Sequence, residues 1–185
     1  LATDKLLMKD AFVRHGVGCP WYSEVSKASD LDDMTSDRNH QKYVIKPIDG
    51  SGARGVIIID GDTDIQKTFS ESASWGKSGR LIVEKFIPGL QISSESFILN
   101  GKCFTAALSE RNYTRLNQFS PYIIEDGGTV PAVISSLLQE KISDLILRGA
   151  LAMGIDRGIV KGDLVLAENG EPLIYADYEN FNLIF

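Results

Sequence analysis

The chain has 185 residues, of which 43% are hydrophobic, and 19 lysines and arginines stand against 25 aspartates and glutamates. This length and apolar fraction suit one large domain or two small lobes with a buried core, and they argue against a disordered chain. The formal charge of −6 and a sequence pI of about 4.9 exclude the overall basic character of proteins that bind nucleic acids or anionic membranes, so any phosphate site must be local.

Apolar runs and cysteines narrow the class of protein further. The longest apolar runs, such as residues 56–59, are far shorter than the roughly 20 residues that a membrane-spanning helix needs. Cys19 and Cys103 are far apart and show no metal-ligand spacing, so we expect reduced thiols in a cytoplasmic protein. The chain opens at Leu1 without a charged leader and apolar core, so we expect no signal peptide and interpret the sequence as a fragment.

A first helix is predicted over residues 3–15. Thr3 is a suitable N-cap, and Gly16 is a suitable end because glycine readily adopts the left-handed conformation that follows many helices. Apolar residues recur at helical spacing on one side, at Leu7, Met8, Ala11 and Phe12. Residues 26–41 are polar and predict either a helix surface or an exterior loop.

Strand patterns begin at residue 43. Segments 43–47 and 55–59 read as strands that flank a glycine-rich loop, and a turn follows the second of them. Residues 65–73 then predict a short helix, and residues 80–87 predict a strand that ends at Pro88-Gly89.

The second half of the chain predicts two hairpins and a long helix between them. An Asn-Gly pair suits the two positive-φ positions of a type I′ turn. The predicted hairpins join residues 95–99 to 103–108 around Asn100-Gly101, and 163–167 to 172–176 around Asn169-Gly170. Residues 131–153 have apolar residues at helical spacing and should cover the second sheet, with Gly154 as the end. The fold class is therefore α+β, with antiparallel sheets rather than repeated βαβ units.

The segment Gly50-Ser51-Gly52-Ala53-Arg54-Gly55 matches the short pattern GxGxxG. A dinucleotide-binding loop requires a helix immediately afterwards, but residues 56–59 are β-rich. A Walker A loop requires Gly-Lys followed by Ser or Thr, and Val56 follows Gly55 instead. A flexible hairpin that closes over phosphates is still possible, although the other protein-kinase motifs are missing. The remaining alternative is an ordinary glycine-rich surface loop.

Three further motifs accompany the glycine loop. The segment Thr3-Asp4-Lys5 stands at the start of the first helix, and Gly16-Val17-Gly18-Cys19-Pro20 stands after it. Tyr43-Val44-Ile45-Lys46-Pro47 lies directly before the glycine loop, and the segment 83–89 ends the next predicted strand. Together these motifs resemble the opening, the strand before the glycine loop and the hinge of the ATP-grasp fold of carboxylate–amine ligases and biotin-carboxylase-like enzymes. Residues 43–47 are the most specific of them, and the resemblance covers nearly the whole chain.

This resemblance implies an ATP site. Lys5 and Lys46 would neutralise phosphate oxygens while amides of the glycine loop donate hydrogen bonds, and Gly50, Ser51, Gly52 and Gly55 are the loop residues implied. Residues 84–87 would border adenine, with the Glu84 carbonyl and the Ile87 amide as its partners and Lys85 and Phe86 beside them. Glu95 is predicted to contact the ribose in preference to Gln91.

The resemblance also implies catalytic and metal-binding residues. Arg111 is the candidate for a phosphate or acyl-phosphate contact, ahead of Arg115. Phosphoryl transfer needs Mg²⁺ with oxygen ligands. Asp163 stands at the family's first acidic position, but Ala176 stands where a glutamate is expected. Asp177 and Glu179 are the possible replacements, of which we favour Glu179, with Asn180 or Asn182 as an amide ligand.

The implied function is an ATP- and Mg²⁺-dependent ligase that activates a carboxylate as an acyl phosphate for attack by an amine. The small lobe would span 1–87 and the large lobe 88–185, after an N-terminal domain of the same protein. Small molecules, rather than nucleic acid or membrane, would be the partners. One alternative is a nucleotide-binding module without turnover and with a degenerate metal site. The other is an α+β domain that binds no nucleotide and uses the glycine hairpin for folding or protein contact.

Overall fold

The structure, a computed structural model that describes residues 4–175, has two antiparallel sheets and associated helices. The helices are α1 (Lys5–Arg14), α2 (Ala28–Met34), α3 (Ile65–Ala73), α4 (Leu116–Phe119) and α5 (Ser136–Ala152). The strands are β1 (Tyr22–Val25), β2 (Tyr43–Pro47), β3 (Ile57–Ile59), β4 (Leu81–Lys85), β5 (Leu90–Leu99), β6 (Lys102–Asn112), β7 (Gly127–Thr129), β8 (Arg157–Leu166) and β9 (Pro172–Ile174).

The first sheet has the strand order β1-β4-β2-β3, and its strands β2, β3 and nearly all of β4 are buried. One face, which includes Tyr43, Ile45 and Val83, packs against α2 and α3 in a first hydrophobic core. Val44 and Glu84 are direct partners in the antiparallel pair β2–β4, so they share the opposite face. Every residue of β2 is buried, which explains why its sequence lacks the alternation of a half-exposed strand.

The second sheet has the order β7-β6-β5-β8-β9, and α5 covers one face of it. Ile142, Leu145 and Ile146 of α5 pack with Ile92 and Leu164 in a second core. The predicted covering of this sheet by the long helix is therefore confirmed. With 17 residues α5 is the longest helix described, and none of the described helices has the length and apolar character to span a membrane.

Helix α1 connects the two sheets. Its apolar residues Met8, Ala11 and Phe12 lie in the second core, although the predicted boundary assigns this helix to the first lobe. Its lysines point the other way, because Lys5 contacts the Gly50 carbonyl in the loop after β2 and Lys9 contacts Glu84 in β4. The position of α1 is thus set by two different neighbours on two faces.

The cap and the exposed side of α1 differ from the prediction, and three short elements were not predicted. The N-cap of α1 is Asp4, whose side chain accepts a hydrogen bond from the Leu7 amide at 3.0 Å, rather than Thr3. Leu7 is 45% exposed, because the buried side of α1 carries two lysines in addition to apolar residues. Strands β1 and β7 and helix α4 are short and lack clear patterns, and the sequence did not indicate them.

The other elements have the predicted type, but several of their bounds differ. Strand β5 begins at residue 90 rather than 95, β6 ends at 112 rather than 108, β8 begins at 157 rather than 163, and α5 begins at 136 rather than 131. Helix α3 has the predicted bounds, and the predicted strands 43–47 and 80–87 correspond to β2 and β4. In the β5–β6 hairpin, Asn100 and Gly101 have φ of 52° and 70°, as a type I′ turn requires. The β8–β9 hairpin has a longer loop, in which the Ala167 amide donates to the Glu171 carbonyl at 3.1 Å.

Candidate functional site

A cavity of about 430 Å³ lies between the two sheets, beside the strand-to-strand connection 85–89, here called the hinge. Its size is in the range of small-molecule sites. The first sheet and the hinge contribute Val44, Lys46, Glu84, Lys85, Phe86, Pro88 and Gly89 to its wall. The second sheet and its connections contribute Leu90, Gln91, Arg111, Asn112, Tyr113, Thr114, Leu116, Ile123 and Tyr175. We call this space the hinge cavity.

A buried group of three charges lies at one wall of the hinge cavity, and two of them, Lys46 and Glu84, line the cavity itself. Lys46 Nζ lies 2.8 Å from Glu84 Oε1, and Lys9 Nζ lies 2.8 Å from Glu84 Oε2. The side chains are 0 to 2% exposed. Both contacts join opposite charges in a buried environment, where attraction between charges is stronger than in water. Alternation along β2 and β4 puts Lys46 and Glu84 on the same face.

The hinge is fixed by hydrogen bonds to residues that precede β2 and to the residue that follows β9. The Phe86 amide donates to the Lys42 carbonyl at 3.0 Å, and the Phe86 carbonyl accepts from Gln41 Nε2 at 3.1 Å. The Tyr175 hydroxyl donates to the Ile87 carbonyl at 2.9 Å. These hydrogen bonds fix the position of the backbone beside the cavity. Main-chain groups can recognise the edge of a flat ring only where the backbone is fixed in this way.

A second cavity of about 270 Å³ lies under the glycine loop 50–55, and we call it the loop cavity. Gly52 and Ala53 of that loop border it on one side. The charged residues on the other side are Arg111, Glu125, Lys161 and Asp163. Arg111, Tyr113 and Ile123 line both cavities, so the two spaces adjoin each other.

Arg111 lies between two carboxylates. Its Nη1 is 3.0 Å from Asp163 Oδ2, and its Nε donates to Glu125 Oε2 at 2.9 Å. Burial tends to lower the pKa of the guanidinium, but the Glu125 hydrogen bond and the nearby Asp163 charge outweigh it and raise the pKa overall. Arg111 is a permanent cation that belongs to both cavities.

Left-handed backbone shapes the glycine loop. Gly52, Ala53 and Gly55 have φ of 67°, 61° and 73°, a region that glycine enters without steric cost. A Cβ on Gly55 would lie 2.9 Å from Trp75 Cβ and 3.0 Å from the Ser72 carbonyl oxygen. Gly55 is therefore required both by its conformation and by the close approach of α3 and the residues after it.

Buried side chains hold the start of the glycine loop. Lys5 Nζ donates to the Gly50 carbonyl at 2.8 Å and to the Ile48 carbonyl at 3.4 Å. The Asp49 carboxylate accepts from the amides of Lys77 and Ser78 at 3.1 and 2.9 Å. Burial acts to raise the pKa of Asp49, but these hydrogen bonds prevail and lower it. The loop thus projects from an anchored base.

Seven of the fourteen predicted site residues border one of the two cavities. Lys46, Glu84, Lys85, Phe86 and Arg111 line the hinge cavity, and Gly52, Arg111 and Asp163 line the loop cavity. Gly50, Ser51, Gly55, Ile87 and Arg115 line neither. Glu179, like Ala176 and Asp177, lies outside the described residues.

Two predicted residues differ in position from what their expected roles require. Lys5 does not line either cavity, because its ammonium is directed to carbonyls at the base of the glycine loop. Glu95 is exposed, whereas Gln91 lines the hinge cavity. Four residues along a strand correspond to about 13 Å, so both side chains cannot serve the same ribose position.

The sequence interpretation missed several residues of the site, among them Glu125, Leu116, Lys161 and Tyr175. Lys161 precedes Asp163 by two positions in β8, so alternation places both on the face toward the glycine loop. That signal was present in the sequence. Tyr175 contacts a hinge residue that is 88 positions earlier in the chain, and no sequence signal indicates this contact.

The loop cavity has the donor atoms that Mg²⁺ prefers, namely the carboxylate oxygens of Asp163 and Glu125. Both carboxylates also contact Arg111. Within residues 4–175, no three Asp, Glu, His or Cys side chains gather as a complete metal site. The described residues therefore fit part of a magnesium site, with Asp163 as its buried member.

Comparisons with known proteins give consistent matches. A family model described as an ATP-grasp domain matches residues 2–175. The D-alanine–D-alanine ligase of Desulforudis audaxviator is 27% identical over 178 residues, which cover 91% of this chain and 56% of that protein. The chain thus spans about half the length of this relative.

Solved structures share the fold. The VanG D-Ala:D-Ser ligase from Enterococcus faecalis superposes with a TM-score of 0.77 at 15% identity, over 94% of this chain and 51% of that one. The D-alanine–D-alanine ligase from Bacillus anthracis complexed with ATP superposes with a TM-score of 0.67 at 19% identity, over 95% of this chain and 52% of that one.

Proposed function

The chain belongs to the ATP-grasp family, and from that membership we propose that it binds ATP and Mg²⁺ as part of a ligase. In the proposed reaction a carboxylate is activated as an acyl phosphate, which an amine then attacks. The similar proteins whose names denote D-alanine–D-alanine and D-Ala:D-Ser ligases support this reaction class. The chain spans 56% of the first of these proteins, so the reaction is proposed for the whole protein.

The observation that carries the proposal is the junction of the two cavities at Arg111. The hinge cavity has apolar walls next to fixed main chain, as a flat base requires. The loop cavity is bordered by cations and by the glycine loop, as a phosphate chain requires. A nucleotide consists of these two chemical parts in this order.

Adenine would occupy the hinge cavity, with Phe86, Val44 and Leu116 as apolar walls. The main chain of residues 84–87 would supply the donor and acceptor at the edge of the base, with Lys85 beside it. Gln91 is the better placed partner for the ribose, because it lines this cavity and Glu95 does not.

The phosphates would extend toward the loop cavity. Lys46 would contact them directly, and Arg111 and Lys161 border the space that the terminal phosphate would enter. The amides of residues 50–55 would add oriented donors. Lys5 would act through the loop, since it holds the Gly50 carbonyl.

In the reaction, a carboxylate oxygen of the substrate would attack the γ-phosphorus as the bond to the bridging oxygen breaks, leaving ADP. The amine nitrogen would then attack the acyl carbon, and phosphate would leave as the amine loses a proton. Arg111 would stabilise the charge that develops on the transferred group. Asp163, together with Glu179 as predicted, would hold Mg²⁺, which supplies charge neutralisation at the phosphates when bound.

We also propose small-molecule partners and a cytoplasmic location. The net charge of −6 gives the chain no overall basic character of the kind that favours nucleic-acid binding. Cys19 and Cys103 are free thiols, which suits a reducing compartment.

A second candidate function is nucleotide binding without turnover. It is favoured by the incomplete cluster of acidic residues within the part of the chain described, where both carboxylates of the loop cavity pair with Arg111. In that case ATP would bind, but no acceptor would stimulate ADP release.

The test is to measure ATP binding by this chain calorimetrically with and without Mg²⁺, and ADP release by the full-length protein with amino-acid substrates. The ligase proposal expects Mg²⁺-dependent binding and ADP release that rises at least about tenfold when a carboxylate and an amine substrate are both present. Binding without stimulated release would support the second candidate. Absence of ATP binding would contradict both.

A further inference from the structure

Lys9 is a buried cation with no direct access to either cavity. Its side chain is 0% exposed, and its Nζ lies 2.8 Å from Glu84 Oε2. Its ammonium also lies 5.4 Å from the centre of the Tyr22 ring. Burial of an ammonium group costs free energy unless an opposite charge compensates it. Here a single carboxylate, that of Glu84, contacts both Lys9 and Lys46.

We propose that Lys9 is a positioning residue for the nucleotide site, which acts through Glu84. By attracting one oxygen of Glu84, Lys9 prevents that carboxylate from giving all of its negative charge to Lys46. The wall of the hinge cavity thereby keeps a more positive potential toward the nucleotide phosphates. This inference rests on the proposed function, because it assigns a role within the same ATP site.

The geometry separates the roles of the three side chains. Lys46 and Glu84 line the hinge cavity, while Lys9 lies behind Glu84 on α1. Helix α1 is held in place by Met8 and Phe12, which are in the second core. Packing in the second core thus fixes α1, and α1 places Lys9 on the side of Glu84 that faces away from the hinge cavity.

Substitution of Lys9 by a neutral residue removes one positive charge from the buried group beside the hinge cavity. Buried charges are weakly screened, so this change reaches the cavity. A phosphate chain would sense it, whereas an uncharged nucleoside would not. A purely structural role of Lys9 would instead affect both ligands equally.

The experiment compares Lys9→Met with the matched surface change Lys67→Met, which removes the same charge from an exposed position of α3. Dissociation constants of ATP and adenosine are measured calorimetrically for both variants and for the unmodified chain. We expect Lys9→Met to weaken ATP binding about tenfold, a difference of about 1.4 kcal/mol, and adenosine binding less than twofold. Lys67→Met should change neither.

Equal weakening of ATP and adenosine binding would overturn the proposal, and so would unchanged ATP binding. If the unmodified chain binds no ATP, the proposed function itself fails, which is a distinguishable result. Should Lys9→Met not fold, Lys9→Gln, which keeps a polar group beside Glu84, replaces it in the same comparison. ATP must again be the ligand that loses affinity, and equal weakening of ATP and adenosine binding would contradict the proposal.

Discussion

At the scale of single residues, the side chain of Glu84 has a role that its sequence position did not indicate. The motif that contains Glu84 predicted a role only for its main-chain carbonyl, as a partner of adenine. In the structure its carboxylate is buried and holds Lys46 and Lys9. A buried carboxylate is stable only with such partners, so the side chain organises the cations of the site.

Lys46→Ala should weaken ATP binding at least about 100-fold, because the variant loses the cation nearest to the predicted phosphate path and leaves Glu84 more negative toward the cavity. Calorimetric titration with ATP measures the effect, and thermal unfolding checks that the fold persists. Lys46→Met, which keeps most of the side-chain volume, serves if the alanine variant unfolds.

The control is Lys67→Ala at an exposed site in α3. ATP affinity in Lys46→Ala within twofold of the unmodified chain would favour the remaining interpretation, in which the glycine hairpin binds no nucleotide.

At the scale of secondary-structure elements, the hinge and the strand that follows it determine the shape of the cavity. Gly89 joins the hinge to β5, and a Cβ there would lie 1.9 Å from the Leu166 carbonyl oxygen in β8. Gly101, in the turn between β5 and β6, has φ of 70°, and a Cβ on it would meet nothing within 4 Å. The two glycines are therefore needed for different reasons.

Gly89→Ala should lower ATP affinity and destabilise the fold, since the added methyl group forces the hinge away from β8 and Gly89 lines the cavity. Gly101→Ala should lower the unfolding free energy by about 1 kcal/mol through backbone strain alone. Urea unfolding and ATP titration measure both effects. Equal ATP affinities in the two variants would show that the hinge does not limit the site.

At the scale of the whole molecule, the site exists because several elements connect the two sheets. Helix α1 packs in the second core, while its lysines contact the first sheet and the loop after β2. The connection after β6 reaches back to the first sheet, where the Pro121 carbonyl accepts from the Ile58 amide at 2.8 Å and the Tyr122 hydroxyl donates to Glu71 at 2.8 Å. The cleft is thus closed from more than one side.

The stability of the whole molecule should depend on Tyr43 at alkaline pH. Burial, followed by the hydrogen bond to Asp37, raises the pKa of the Tyr43 hydroxyl from 10.0 to about 12. A raised pKa favours the folded state below the unfolded value, and this contribution is lost as pH rises. Between pH 10 and pH 12 the unfolding free energy should therefore fall more steeply in the unmodified chain than in Tyr43→Phe. Urea unfolding across this range measures the difference, and parallel curves would contradict the prediction.

The sequence alone determined the α+β class, the long helix over the second sheet and the Asn100-Gly101 turn. These features are local, because they follow from the spacing of apolar residues and from the backbone freedom of Asn and Gly. The resemblance of motifs also identified Lys46, Phe86, Arg111 and Asp163, which line the cavities.

Only the tertiary structure decided how distant residues meet. Register between β2 and β4 places Glu84 beside Lys46, and the packing of α1 brings Lys9 to the same carboxylate. Likewise, packing turned Lys5 toward the Gly50 carbonyl, and strand length separated Gln91 from Glu95. Such contacts join residues tens of positions apart, and their partners are set by burial and charge rather than by any local pattern.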